Sequence, residues 1–359
     1  MAPGAGKKCG NLRLLATLSY NGRVTRLDRM TDHQLLDMRL CDLPVRIKGT
    51  RIEQRVGKLY RDLDERGLRF HPHVWLSEEW FTPDGTPGFA IPFYLVHPRL
   101  IKLERSQMLE AEGASESECM RILRHEAGHA IDNAYGLHLR GGWTERFGSY
   151  TTRYPKSYRP RPHSRDFVLN LDAWYAQAHP AEDFAETFAV WLKPGSRWRK
   201  QYEGWGALRK LEYIDRSMAL LRNEPPRNKL RFKVDPISTL KMTLREHYRR
   251  KRVYYAIHWP PAFERNLYRI FSPEARRKDS PSAAQFLRRI RRDISQVVAE
   301  GTGLHPYSVN HIVRQMVVRC RQLGLRVTQP EEEARQLSIV VLTMQIMQVL
   351  GKGYHRIPL

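Results

Sequence analysis

The chain has 359 residues, 41% of them apolar, so it can hold two domains or one large domain with an appendage, and wholesale disorder is excluded. Lys plus Arg number 61 against 38 Asp plus Glu, a formal net charge of +23 that suits phosphate backbones, acidic proteins or anionic surfaces as partners. No apolar run is long enough for a transmembrane segment, and Cys9, Cys41, Cys119 and Cys320 form no Cys-x-x-Cys pair, which argues against a disulfide framework and a thiolate zinc knuckle.

Met1 to Gly10 is small and basic, with no apolar stretch after it of the length a secretion signal needs, so the expected compartment is the cytoplasm. Residues 1–48 read as a loosely ordered segment with a short helix around Asp32 to Met38. A helix is predicted over Thr50 to Arg66. Thr50 and Glu53 make a capping box, Ile52, Val56, Leu59, Tyr60 and Leu63 form one apolar stripe, and Gly67 stops it. Two strands are predicted next, Phe70 to Leu76 and Phe89 to Leu103, separated by the turn residues 82–88. Pro92 and Pro98 mark the second as an edge strand or a bulged one.

A longer helix follows, capped by Ser115 with Glu118 and ended by Gly136. Its buried side is Cys119, Ile122, Leu123, Ala127, Ala130, Ile131 and Ala134. The connection Leu137 to Asn170 is polar, basic and rich in tyrosine (Tyr150, Tyr154, Tyr158), and a loop of that length inside a domain is usually functional or mobile. Another helix begins at Pro180 and ends at Lys193-Pro194-Gly195. Beyond residue 230 the chain becomes basic and helical, with helices predicted at 238–252, 282–299, 306–323 and 330–350. Three parts are therefore expected: a loose segment 1–48, a domain 49–225, and a helical basic C-terminal unit 230–359.

Chemistry concentrates in His125-Glu126-Ala127-Gly128-His129. Residues four apart on a helix lie on one face, so His125 and His129 present two imidazoles to one point, a spacing suited to Zn2+. Glu126 sits one residue round, where its carboxylate reaches a water at the metal and accepts its proton. Gly128 leaves room for a neighbouring chain. A catalytic zinc needs a third protein ligand. Glu182 and Glu186 lie one turn apart on a helix otherwise lined by Phe184, Phe188, Trp191 and Leu192, and acids on an apolar helix are costly unless paired or bound to a cation. One of them is the candidate ligand and the other a hydrogen-bond acceptor for a ligand imidazole. An acidic first turn favoured by the helix dipole is the plainer alternative. His138 and His163 are other candidate ligands. His179 is read as a helix cap, and Asp132 as an anchor for a ligand imidazole or a local hydrogen-bonding residue.

These motifs resemble the gluzincin group of zinc peptidases, and in detail the lethal-factor-type catalytic core, over about residues 115–193. His125 to Asp132 is similar to that family's active helix, and Glu182 to Phe188 to its second-ligand helix. The metzincin pattern does not fit, because Asp132 and Tyr135 stand where it has Gly and His. The resemblance implies that Glu182 ligates zinc and Glu186 orients a ligand. It also implies that Tyr175, seven residues before Glu182, stabilises the oxyanion or protonates the leaving group. The other reading of Tyr175 is packing beside Trp174.

The expected architecture is thus α+β: a zincin-like core, with a small sheet from 70–103 over the motif helix. An edge of that sheet would align an extended peptide. The expected activity is zinc-dependent hydrolysis of a peptide or protein substrate. Two other readings stay open. One is a nucleic-acid-associated protein with a structural or regulatory zinc site, bound to nucleic acid or an acidic partner through the basic 240–293 stretch. The other is a metal-free scaffold.

Overall fold

Local capping signals start most of the early helices. The structure, a computed structural model, describes residues 25–155, 157–158, 160–161, 164–255, 264–273, 280–351 and 357–358, so Cys9 and His163 lie outside the described residues. Thr31 and Gln34 close a reciprocal capping box at α1 (Asp32–Leu36). Thr50 caps α2 (Arg51–Glu65), with Ile52, Val56, Leu59 and Leu63 buried along one side. The 25–48 segment is more ordered than expected. Leu27, Leu35, Leu40 and Leu43 are buried in the main core, and Arg99 donates to the Met30 carbonyl at 2.9 Å.

The first predicted strand is β1 (His73–Ser77), paired in parallel with β2 (Gly88–Pro92) from His73 opposite Gly88 to Ser77 opposite Pro92. The second predicted strand ends early. Phe93–Val96 is a 3-10 turn, and Pro98 opens α3 (Pro98–Met108). Proline has no amide to leave unsatisfied and a pre-set φ, so a residue that reads as a strand interruption is a helix start. The loop between the strands folds back, and the Ala90 amide donates to the Phe81 carbonyl at 2.8 Å. The outer edge of β2 is therefore taken at that position, against the expectation of an edge free for a peptide.

Ser115 caps α4 (Glu116–Tyr135), and Gly136 ends it at φ +62°, the left-handed conformation glycine adopts without cost. There follow α5 (Trp143–Phe147), β3 (Ser157–Tyr158), a 3-10 turn over Asp172–Gln177, α6 (Pro180–Leu192), α7 (Trp198–Gln201) and α8 (Gly206–Ala219). Phe184 of α6 packs against Trp143 and Phe147 of α5. Helices α4 and α6 touch at Gly128, where an added Cβ would lie 2.8 Å from the Ala185 Cα. This is the neighbouring chain for which Gly128 leaves room.

The last elements are α9 (Leu244–Tyr254), α10 (Glu264–Ile270), α11 (Ala283–Thr302), α12 (Pro306–Gln322), α13 (Glu331–Gly351) and β4 (Ile357–Pro358), which pairs antiparallel with β3. All four predicted helices are present. The division at 225–230 is displaced, however. Buried apolar side chains of the described residues fall into two clusters, and Leu244 and Tyr248 of α9 belong to the first. The second runs from Leu267 to Ile346. Residues 232–235 cross β1, where their carbonyls accept from Trp75 Nε1 at 2.9 Å and Ser77 Oγ at 2.6 Å. The fold is mixed α+β, mostly helical with one small two-stranded parallel sheet. Among the described residues no helix is long and apolar enough to cross a membrane.

Candidate metal centre

The site is built where α4 and α6 cross. Helix α6 is buried along nearly its whole length, so three acids on it, Glu182, Asp183 and Glu186, stand in an apolar setting. Each needs a partner. Asp183 has Lys210 Nζ at 2.5 Å, and burial lifts its carboxyl to about 7. Glu186 accepts from Asn170 Nδ2 at 2.7 Å and from the Leu171 amide at 2.8 Å, and faces His125 Nδ1 at 2.8 Å. With both oxygens acting as acceptors, Glu186 accepts a hydrogen bond from His125 Nδ1–H. That fixes the tautomer whose Nε2 offers a lone pair.

The three remaining donor atoms face one another. His125 Nε2 lies 3.1 Å from His129 Nε2, and Glu182 Oε2 lies 3.1 Å from His125 Nε2 and 3.2 Å from His129 Nε2. With both imidazoles neutral, His125 keeps its proton on Nδ1 towards Glu186 and at most His129 Nε2 carries one, which serves one of the three edges. A cation at the centre satisfies all three. Bond lengths of about 2.0–2.1 Å at tetrahedral angles give edges of about 3.3–3.4 Å, close to those seen. His125, His129 and Glu182 are the one group of three His, Cys, Asp or Glu residues able to hold a metal ion among the described residues.

Comparison with known proteins returns no family model, no curated protein and no solved structure that matches this chain.

The electrostatics agree with the geometry. Burial disfavours a charged His125, but its bonds to Glu182 and Glu186 outweigh that and hold its pKa well above the usual histidine value. Burial also pushes the Glu182 carboxyl up, yet the two imidazoles hold it well below the usual carboxylate range. The pocket favours positive charge at the point where the donors meet.

Around the triangle lie the groups that could act on a substrate. Glu126 is buried, and burial raises its pKa. Its Oε2 accepts from Thr82 Oγ1 at 2.7 Å. The Tyr175 ring centre is 5.5 Å from that of His125, and burial followed by the Glu182 and Glu126 charges keeps its phenol protonated. The preceding Trp174 has φ +54°, a left-handed conformation that costs a non-glycine residue about 1–3 kcal/mol. Such strain persists only where surrounding structure enforces it, here in the turn that brings Tyr175 to the site.

Of the remaining predicted residues, Asp132 is not bonded to either facing imidazole. Its carboxylate accepts from the His138 amide at 2.7 Å and faces His138 Nδ1 at 3.0 Å, because that amide lies in the first turn of the 3-10 segment Leu137–Leu139 and has no helical acceptor. His138 is thereby occupied, with Tyr150 stacked on it at 4.0 Å. His179 caps α6, its Nδ1 accepting from the Ala181 amide at 3.1 Å. Sequence reasoning missed Thr82, Asn170 and the specific role of Tyr154, whose hydroxyl donates to Glu182 Oε1 at 2.9 Å. The Tyr154 ring stacks on His179 at 3.7 Å. The length of the tyrosine-rich loop was the signal for Tyr154. Thr82 sits in a stretch whose Pro, Asp and Gly announce only a turn.

Proposed function

We propose that this chain is a zinc-dependent metallopeptidase of the gluzincin type, cutting a peptide or protein substrate, with a zincin-like core formed by β1, β2, α4 and α6. The cytoplasm is the proposed compartment. The observation that carries the reading is the convergence of His125 Nε2, His129 Nε2 and Glu182 Oε2 at mutual distances of 3.1–3.2 Å, with Glu126 beside them. His125, His129 and Glu182 would hold the ion. Zinc in such a three-ligand site supplies a Lewis acid and lowers the pKa of water to about 7.

The protein's own groups divide the remaining work. Glu126 accepts the proton of the attacking water and returns it to the leaving amine. Thr82 ties down Glu126 Oε2 and so leaves Oε1 for the water. Glu186 holds His125 in one tautomer. Tyr175 donates a hydrogen bond to the oxyanion as the carbonyl becomes tetrahedral.

The test is proteolysis by the purified chain on a mixed peptide library, with Glu126→Gln beside it. The reading expects cleavage by the natural chain and at least a thousandfold loss in the variant with its metal retained. Equal cleavage by both would contradict it.

A further inference from the structure

A peptidase site does not account for the charge of +23, and the cations of the basic stretch differ in what they touch. On α9, Arg245, Lys251 and Arg252 reach across to other elements, while Arg249 is exposed. Arg245 binds Asp37 at 2.7 Å, and Lys251 binds Glu79 at 2.8 Å and Glu104 at 2.9 Å. Arg252 donates to Gln107 at 2.7 Å, and Arg250 binds Glu246 of its own helix at 2.8 Å. On α11, Arg289 pairs with Glu331. The first half of the basic stretch therefore docks α9 onto the domain that carries the metal centre.

Arg291 and Arg292 of α11 and Arg314 of α12 differ. Among the described residues no carboxylate pairs with any of them. Arg291 Nε is buried without a hydrogen-bond partner. Burial, followed by the charges of Arg314 and Arg292, holds the Arg291 guanidinium below its usual pKa. Arg292 also lines a cavity of about 170 Å³ between α11 and the end of α3, together with Arg105, Leu109, Ser295, Gln296 and Pro306. Like charges left adjacent repel, and a bound anion removes that repulsion.

We propose that Arg105, Arg291, Arg292 and Arg314 form a groove for the phosphodiester backbone of a nucleic-acid strand. The cluster is all arginine, whose planar fork matches phosphate oxygens in pairs. An acidic peptide would need apolar seats for its other side chains, and the cavity wall offers only Leu109 and Pro306. The site stands apart from the proposed metal centre and does not depend on hydrolysis.

The test is fluorescence anisotropy of a labelled 20-nucleotide single strand with the full chain across a salt series, repeated with chelator. The groove predicts strong salt dependence, no effect of chelator, and at least tenfold weaker binding for Arg291→Gln/Arg292→Gln/Arg314→Gln, with the salt slope reduced by about 2–3. A charge-matched control, Lys193→Gln/Arg197→Gln/Lys200→Gln, should stay within about twofold of the natural chain. If the triple groove variant does not fold, Arg314→Gln alone, at an exposed position, should weaken binding about threefold. Equal weakening in groove variant and control, no binding at low salt, or binding of inorganic phosphate but not of the strand, would each overturn the proposal.

Discussion

At the scale of single residues, the proposed site depends on which carboxylate oxygen faces the centre. Tyr154 donates to Glu182 Oε1, which leaves Oε2 for the two imidazoles. Partners of this kind typically alter metal affinity by about 10–100-fold. Tyr154→Phe keeps the ring stacked on His179 and removes only the hydroxyl. It is expected to weaken zinc binding about tenfold in competition with a chelating dye, and unchanged affinity would show that Glu182 needs no such hold. The grouping of His125, His129 and Glu182 was legible because helical spacing alone brings His125 over His129, and because acids one turn apart on an apolar helix demand a partner. Thr82 was not legible, since it reaches Glu126 across 44 residues of chain and no spacing rule encodes that contact. Of the two readings of Asp132, the local one holds, because its carboxylate accepts from the amide of His138, just past the helix end.

At the scale of elements, the crossing of α4 and α6 sets the site. Helix pairs separate when their contact residue gains bulk, and overpacking of this kind costs about 1–3 kcal/mol. Gly128→Ala would press on the Ala185 backbone, where nothing flexible can give way. The expected outcome is a melting temperature lower by several degrees, together with weaker zinc binding, because the two ligand sets move apart. A variant with natural stability and affinity would mean that the crossing tolerates a methyl group. Capping residues and apolar stripes made α2 and α4 readable. The second strand was over-read because prolines at 92 and 98 serve a strand end and a helix start, and only tertiary context separates those uses.

At the scale of the whole molecule, the two apolar clusters meet near Tyr255, His305 and Ser308. The His305 ring stacks on Tyr255 at 4.1 Å, its Nδ1 accepts from the Tyr307 amide at 3.0 Å, and Ser308 Oγ donates to the Tyr255 carbonyl at 2.8 Å. Burial, helped by the Lys251 charge, lowers the His305 pKa to about 3, well below the usual histidine value. A depressed folded-state pKa gives stability that is present above the unfolded value and lost as pH falls towards the folded one. Denaturant unfolding should therefore weaken by about 1–2 kcal/mol between pH 6.5 and pH 5. His305→Asn, which can cap α12 without titrating, should remove most of that loss; an equal loss in the variant would assign it elsewhere. The junction was read too early because composition changes at 230, while the packing of Leu244 and Tyr248, which composition does not report, carries α9 back to the first core. The central claim, a zinc ion held by His125, His129 and Glu182, is tested most directly by elemental analysis of the purified chain after dialysis against trace zinc. About one zinc per chain is expected, falling below about one tenth in His129→Ala. A metal-free natural chain, or a variant that keeps its zinc, would contradict it.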